Sequence, residues 1–156
     1  MRYLAIPIAS FLFAGVGLLS AADDTKDEAV RKDLKSIAGN WTVTSHETNG
    51  AKSPADAFKG ETVKVAADGT ATITKDGKIT YKTKWVNMDP TQKMKTVDVE
   101  VVEGDDKGKT LLAIYRVDGD QFTVCVANSG KDRPTAFSTN GDNGRSLLTY
   151  ARSKDE

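Results

Sequence analysis

Two hydrophobic periods divide the chain. Between Thr25 and Gly39, apolar residues fall at Val30, Leu34 and Ile37, the i, i+4, i+7 spacing of one helical face. Thr25-Lys26-Asp27-Glu28 has the form of a capping box, with Thr25 as N-cap and Glu28 reaching back to its N–H. Asp27 with Arg31 and Glu28 with Lys32 are spaced as i,i+4 ion pairs, and Gly39 supplies the residue just past the end. The pattern predicts an amphipathic helix of about three turns with a narrow apolar stripe, over 23–38 with its leader.

From Trp41 onward the period becomes two and Asp-Gly provides the punctuation. Val63 and Val65 precede Asp68-Gly69; Ala71 and Ile73 precede Asp76-Gly77, which Ile79, Tyr81, Thr83 and Trp85 follow. Val97, Val99 and Val101 alternate with Asp98 and Glu100, and Asp118-Gly119 separates two further runs. Asp-Gly between alternating segments marks hairpins, because a type I′ turn needs positive φ at both central positions. Eight strands result, at 40–48, 61–67, 70–75, 78–87, 96–103, 109–117, 121–127 and 145–152. One interruption is helical: Ser53 as N-cap, Pro54 at the first helical position, Asp56 in the first turn and Gly60 as the stop. Eight up-and-down strands with one apolar face each are satisfied by an all-β antiparallel barrel spanning 39–152, since closure removes exposed edges. The alternative is a two-sheet sandwich.

If Asp118-Gly119 is the whole loop, Val117 faces Asp120 and Tyr115 faces Phe122. That register puts Leu111, Ala113, Tyr115 and Val117 on the interior face with Phe122, Val124 and Val126. The opposite face carries Leu112, Ile114 and Cys125, too apolar for open water, and the N-terminal helix is the expected cover.

Ahead of the helix, residues 1–22 read as a secretory signal peptide. Arg2 provides the positive start, Leu4 to Leu19 is uncharged, and Ser20-Ala21-Ala22 is a small-residue cleavage site. The apolar run is shorter than the roughly 20 residues that span a bilayer and contains Pro7, Gly15 and Gly17, so no membrane insertion is expected after cleavage. Taking 22 residues from 156 leaves 134, one domain with a short polar tail at 153–156, exported to the periplasm or beyond and expected to be monomeric. The full chain carries 22 basic and 22 acidic residues, interleaved, which gives no electrostatic footprint for nucleic acid or a membrane surface. Cys125 is the single cysteine, so the core holds the fold without an intramolecular disulfide; Phe122-Thr123-Val124-Cys125-Val126 makes it a small buried hydrophobe rather than a reactive thiol.

The chemistry that the residues support is sparse. His46 is the only histidine and alternates to the Thr42/Thr44 face, as a solvated strand residue, so neither a Ser-His or Cys-His nucleophile pair nor a zinc ligand set emerges. Asp105 with Asp106, Asp118 with Asp120, and Asp142 lie in Gly-rich turns, where Asp bonds its own backbone, and no calcium loop is formed. Gly104-Asp105-Asp106-Lys107-Gly108-Lys109-Thr110 ends like a P-loop but has three residues, not four, before Gly-Lys-Thr, and lies between two strands with no helix to receive a phosphate. Asn40-Trp41-Thr42 fits a glycosylation sequon by chance, its Trp pointing inward. No metal or cofactor is expected, and the reading is non-enzymatic.

Gly39-Asn40-Trp41 at the start of the first strand resembles the G-x-W signature of lipocalins, small eight-stranded barrels that often enclose an apolar ligand. The resemblance implies that Trp41 packs across the closed end beneath a basic residue near the last strand, a position Arg152 matches. From about Leu34 to Arg152 the order of blocks is similar to an exported lipocalin-like family abundant in planctomycete bacteria. Those blocks are Ile37 to Trp41, Asp105 to Tyr115, Asp118-Gly119-Asp120, Cys125, and Gly130 to Phe137. That family has no assigned activity and supplies no catalytic residue.

Two functions stay open. Interior Tyr81, Trp85, Tyr115 and Phe122 either line a site for a small hydrophobic ligand or fill the core, since eight strands leave room for one or the other. Alternatively the domain is a structural or interaction module of the cell envelope acting through the charged loop Ser129 to Pro134.

Overall fold

The computed structural model describes residues 20–141 and 143–154. The expected signal peptide therefore lies, up to residue 19, outside the described residues, as do Asp142 and the end of the tail. A helix, α1 (Ser20–Ile37), leads into β1 (Gly39–Thr48), β2 (Ala51–Lys52), a 3-10 turn (Ala55–Phe58), β3 (Glu61–Val65) and β4 (Thr70–Lys75). Then follow β5 (Lys78–Asp89), β6 (Lys95–Glu103), β7 (Thr110–Asp118), β8 (Gln121–Ala127) and β9 (Arg145–Arg152). Every strand from β3 to β8 pairs antiparallel with the next, β1 pairs with β3, and β1 closes on β9. The result is an eight-stranded up-and-down barrel; β2 is a short addition outside the ring, hydrogen-bonded only to β1.

Turn chemistry sets the register in three different ways. At Asp76-Gly77 both residues have positive φ, 51° and 78°, between paired Lys75 and Lys78, the I′ geometry that Asp-Gly favours. At Asp68-Gly69 only the glycine is positive, and the Ala66 N–H donates to the Thr70 carbonyl around a longer loop. At Asp118-Gly119 the loop shifts by one: Asp118 pairs with Gln121, and Gly119, with φ of 58°, is the first central residue of the Gly119-Asp120 turn, as in type II′. Val117 therefore faces Phe122 and Tyr115 faces Val124, correcting the expected partners. Because the pairing moves by two places in total, every side chain keeps its predicted face.

Bulges do change faces. Strand β1 bulges between Val43 and Ser45, so His46 pairs with Leu148 and joins the face of Val43 and Tyr150, not that of Thr42 and Thr44. Between β4 and β5, Ile73 pairs with Tyr81 and Thr74 with Ile79. Ile79 is thereby turned outward and is 51% exposed, whereas alternation alone puts it inside with Tyr81.

The helix also departs from expectation. It starts at Ser20, five residues before the expected Thr25 cap, and carries Asp23 in its first turn, where the helix dipole favours an acid. The anticipated Asp27–Arg31 and Glu28–Lys32 pairs do not form; instead Lys26 reaches Asp89 of β5 at 3.6 Å and Asp33 reaches Lys95 of β6 at 2.8 Å. Ile37 is fully buried, with Val30 and Leu34 packed beside it against the barrel core. The helix thus closes one end of the barrel rather than covering its side. At the 3-10 turn, Pro54 and not Ser53 occupies the N-cap and makes no side-chain cap.

The outer face of Leu112, Ile114 and Cys125 has a different cover, the described residues of the segment 128–144 between β8 and β9. Ile114 is 1% exposed and Cys125 fully buried. Pro134 and Thr139 of the strap are buried against the barrel, and Arg116 stacks on Phe137 with 4.9 Å to the ring centre. Arg133, expected in a solvent-facing charged turn, points inward: its Nη1 donates to the Val97 and Ala113 carbonyls at 2.7 Å, and its Nη2 to Asp98 at 2.5 Å. Thr139 donates to the Glu47 carboxylate and accepts from the Gly50 N–H, tying the strap to the β1–β2 hairpin.

Candidate functional site

Antiparallel order places Trp41, Arg152, Trp85 and the helix at one end of the barrel, and Glu61, Tyr81 and Leu148 toward the other. The closed end is built on the C-terminus of α1, whose last carbonyls lack helical partners. The indole Nε1 of Trp41 donates to the Ile37 carbonyl at 2.7 Å. Arg152 lies over the indole, 4.2 Å from the ring, and donates to the Ser36 and Ala38 carbonyls at 2.7 and 3.1 Å. Its Nε also donates to Asp120 at 3.2 Å. Gly39 is required here: a Cβ on it would come within 2.8 Å of the Arg152 guanidinium, and its φ is 128°. Gly39, Trp41 and Arg152 thus stand together at this end of the barrel.

A second lock holds the helix. Asp33, 8% exposed, accepts from Lys95 at 2.8 and 3.0 Å and from the Tyr115 hydroxyl at 2.8 Å. Burial, and then this bond to Asp33, push the Tyr115 phenol far above its ordinary value.

Above this plug lies an aromatic layer. Phe122 meets Trp41 edge-on at 4.6 Å, stacks on Tyr150 at 4.3 Å and approaches Trp85 at 6.3 Å. Trp85 in turn tilts against Tyr115 at 5.3 Å. Beyond the layer a cavity of about 330 Å³ extends toward the other end. Its walls are aliphatic, including Val63, Ile73, Val99, Leu111, Val126 and Leu148, with the aromatic side chains Tyr81, Trp85, Phe122 and Tyr150. Polar groups reach it at Glu61, Thr80 and Thr83.

Three of the four expected ligand-site residues, Tyr81, Trp85 and Phe122, thus border this cavity. Tyr115 does not: it is 1% exposed, and its hydroxyl is turned to Asp33 beneath the aromatic layer. Glu61 and Tyr150 were not anticipated. Both follow from period two, Glu61 lying two residues before inward Val63 and Tyr150 two before Arg152. Thr80 had no such signal, because it joins the wall only through the bulge beside Tyr81.

Tyr81 owes its position to the Gly104–Lys109 turn, the stretch that resembles a P-loop. Here it simply joins β6 to β7, with the Gly108 N–H donating to the Val101 carbonyl at 2.8 Å. A Cβ on Gly104 would fall 2.1 Å from the Tyr81 ring, and its φ is 116°, so only glycine lets the ring lie against the turn. Burial raises the Tyr81 phenol above its usual value, and the charges of Asp106 and Asp105 add to the effect. Enclosure in the barrel raises Tyr150 likewise, followed by the negative charge of Glu61.

Elsewhere, His46 is half-buried, its Nε2 sharing a hydrogen bond with Thr48 Oγ1 at 3.1 Å. Cys125 contacts the Ser138 carbonyl at 3.9 Å, and burial pushes its thiol up. Among the described residues no three His, Cys, Asp or Glu side chains gather to hold a metal ion, and no helix is long and apolar enough to cross a membrane. Comparison of the chain with protein-family models, curated proteins and solved structures finds no match.

Proposed function

We propose that this protein is an exported, non-enzymatic binding module of the lipocalin-like kind, which holds a small hydrophobic ligand in its barrel. The cavity of about 330 Å³ carries the reading, because it falls within the range of small-molecule sites and is walled almost wholly by apolar side chains. Trp85, Phe122 and Tyr150 serve in both the aromatic layer and the cavity wall, so the layer is a floor on which an apolar molecule would rest. Export is supported by the uncharged run Leu4–Leu19 with Ser20-Ala21-Ala22 after it, and the resemblance of its sequence blocks to the planctomycete family points to the same compartment.

The test is binding of an environment-sensitive hydrophobic fluorophore to the folded protein, checked by native mass spectrometry. Leu111→Trp, which adds volume to the wall, is expected to abolish the fluorescence gain while leaving the fold intact. A folded protein that neither brightens the probe nor carries it in the gas phase would overturn the reading.

A further inference from the structure

We propose that the ligand is an organic cation, an amine or quaternary ammonium joined to an apolar tail, with Glu61 as its counter-ion. The inference rests on the cavity being a ligand site and adds the charge of what it takes. Among the described residues, Glu61 is the one acidic side chain of the lining, and no Lys, Arg or His borders the cavity.

Its natural neutraliser is engaged elsewhere. Lys75 is the cross-strand partner of Glu61, and opposite charges facing each other across a ladder ordinarily pair. Here the Lys75 ammonium donates to the Ala57 carbonyl of the 3-10 turn at 2.9 Å. Among the described residues, Glu61 makes neither an ion pair nor a side-chain hydrogen bond, so its carboxylate is open to an incoming partner.

The remaining surroundings favour positive charge as well. The aromatic rings of Tyr81 and Tyr150, which border the cavity together with Glu61, add attraction for a cation. Asp105 and Asp106 put negative charge beside Tyr81, and among the described residues Lys109 pairs with Asp106, at 2.7 Å, and not with Asp105. An apolar acid would set its carboxylate against Glu61. A neutral ligand would strip water from Glu61 and offer at most a hydrogen bond, with no compensating charge.

Calorimetric titration of the purified protein with octylamine, octanol and octanoate at low ionic strength tests the proposal. Octylamine is expected to bind about tenfold more tightly than octanol, as suits a partly solvated carboxylate–ammonium pair, with octanoate weakest. Glu61→Gln is nearly isosteric and is expected to bring octylamine down to the octanol level without weakening octanol. Equal binding of amine and alcohol, or a preference that survives E61Q, overturns the cation assignment while the cavity reading stands. Binding of none of the three overturns both. The wild-type ranking decides the matter by itself should E61Q fail to fold.

Discussion

The Asp33–Tyr115 contact predicts a measurable coupling between the helix and the barrel wall. Asp33→Ala removes the acceptor of the Tyr115 hydroxyl, on a residue only 1% exposed, and leaves that donor without a partner. An unsatisfied buried polar group costs about 1–3 kcal/mol. The Lys95 side chain is 33% exposed, so its ammonium regains water and adds little to the loss. Tyr115→Phe deletes the donor and keeps the Asp33–Lys95 pair, for a loss of about 1–2 kcal/mol. The double variant removes donor and acceptor together, so it is expected to be about 1–2 kcal/mol more stable than the sum of the single losses implies. Equilibrium urea unfolding reads this out: with a slope of roughly 1–3 kcal/mol per molar, a loss of about 2 kcal/mol moves the midpoint by roughly 1 M. Single losses that add to within about 0.5 kcal/mol would refute the coupling, and with it the account of how the helix is locked.

At the other lock, Arg152→Gln strips the Ser36 and Ala38 carbonyls and the Trp41 ring of their cation, and a loss of about 1–2 kcal/mol is expected by the same unfolding assay. Gly104→Ala must displace the Tyr81 ring, so the fluorophore affinity falls and stability drops by about 1–3 kcal/mol; unchanged affinity would separate Tyr81 from the site. Hydrogen bonds from Lys84 and Thr70 hold Asp68 at about 2, and bonds from Thr91 and Gln92 do the same for Asp89. Both are thus depressed in the folded state. The stability they contribute is present above their ordinary carboxylate value and lost as pH falls toward 2, which an NMR titration of the two carboxyls would follow. Cys125, buried with its thiol raised, is expected to react with a thiol reagent only at the rate of unfolding; fast labelling of the native protein would mean that the 128–144 strap opens.

Much of the barrel is legible in the chain because its causes are local. Alternation, Asp-Gly turns and the absence of disulfides leave few ways to bury one face of eight strands, and closure is among the cheapest. The two errors of facing, at His46 and Ile79, both arise from bulges, where one extra residue is accommodated only because the partner strand sets the spacing. The shifted Asp118-Gly119 turn shows the reverse: a wrong loop with the right faces, since the interior set of β7 and β8 is determined by hydrophobic parity rather than turn type.

The covers were less legible, for they depend on distant partners. Periodicity revealed that Val30, Leu34 and Ile37 share a stripe, and that Leu112, Ile114 and Cys125 need shelter, but not that the two belong to different contacts. Arg133 is the clearest case: in sequence it is one charge in a polar loop, and in space it satisfies two strand carbonyls and Asp98. The candidate site divides along the same line. Local pattern alone determined the inward set that includes Tyr81, Trp85 and Phe122. Only the tertiary structure decided that Tyr115 is spent on Asp33, that Lys75 turns away to Ala57, and that a cavity remains with Glu61 at its wall. Each of those outcomes depends on which groups compete for a partner across the barrel, and strand period carries no record of that competition.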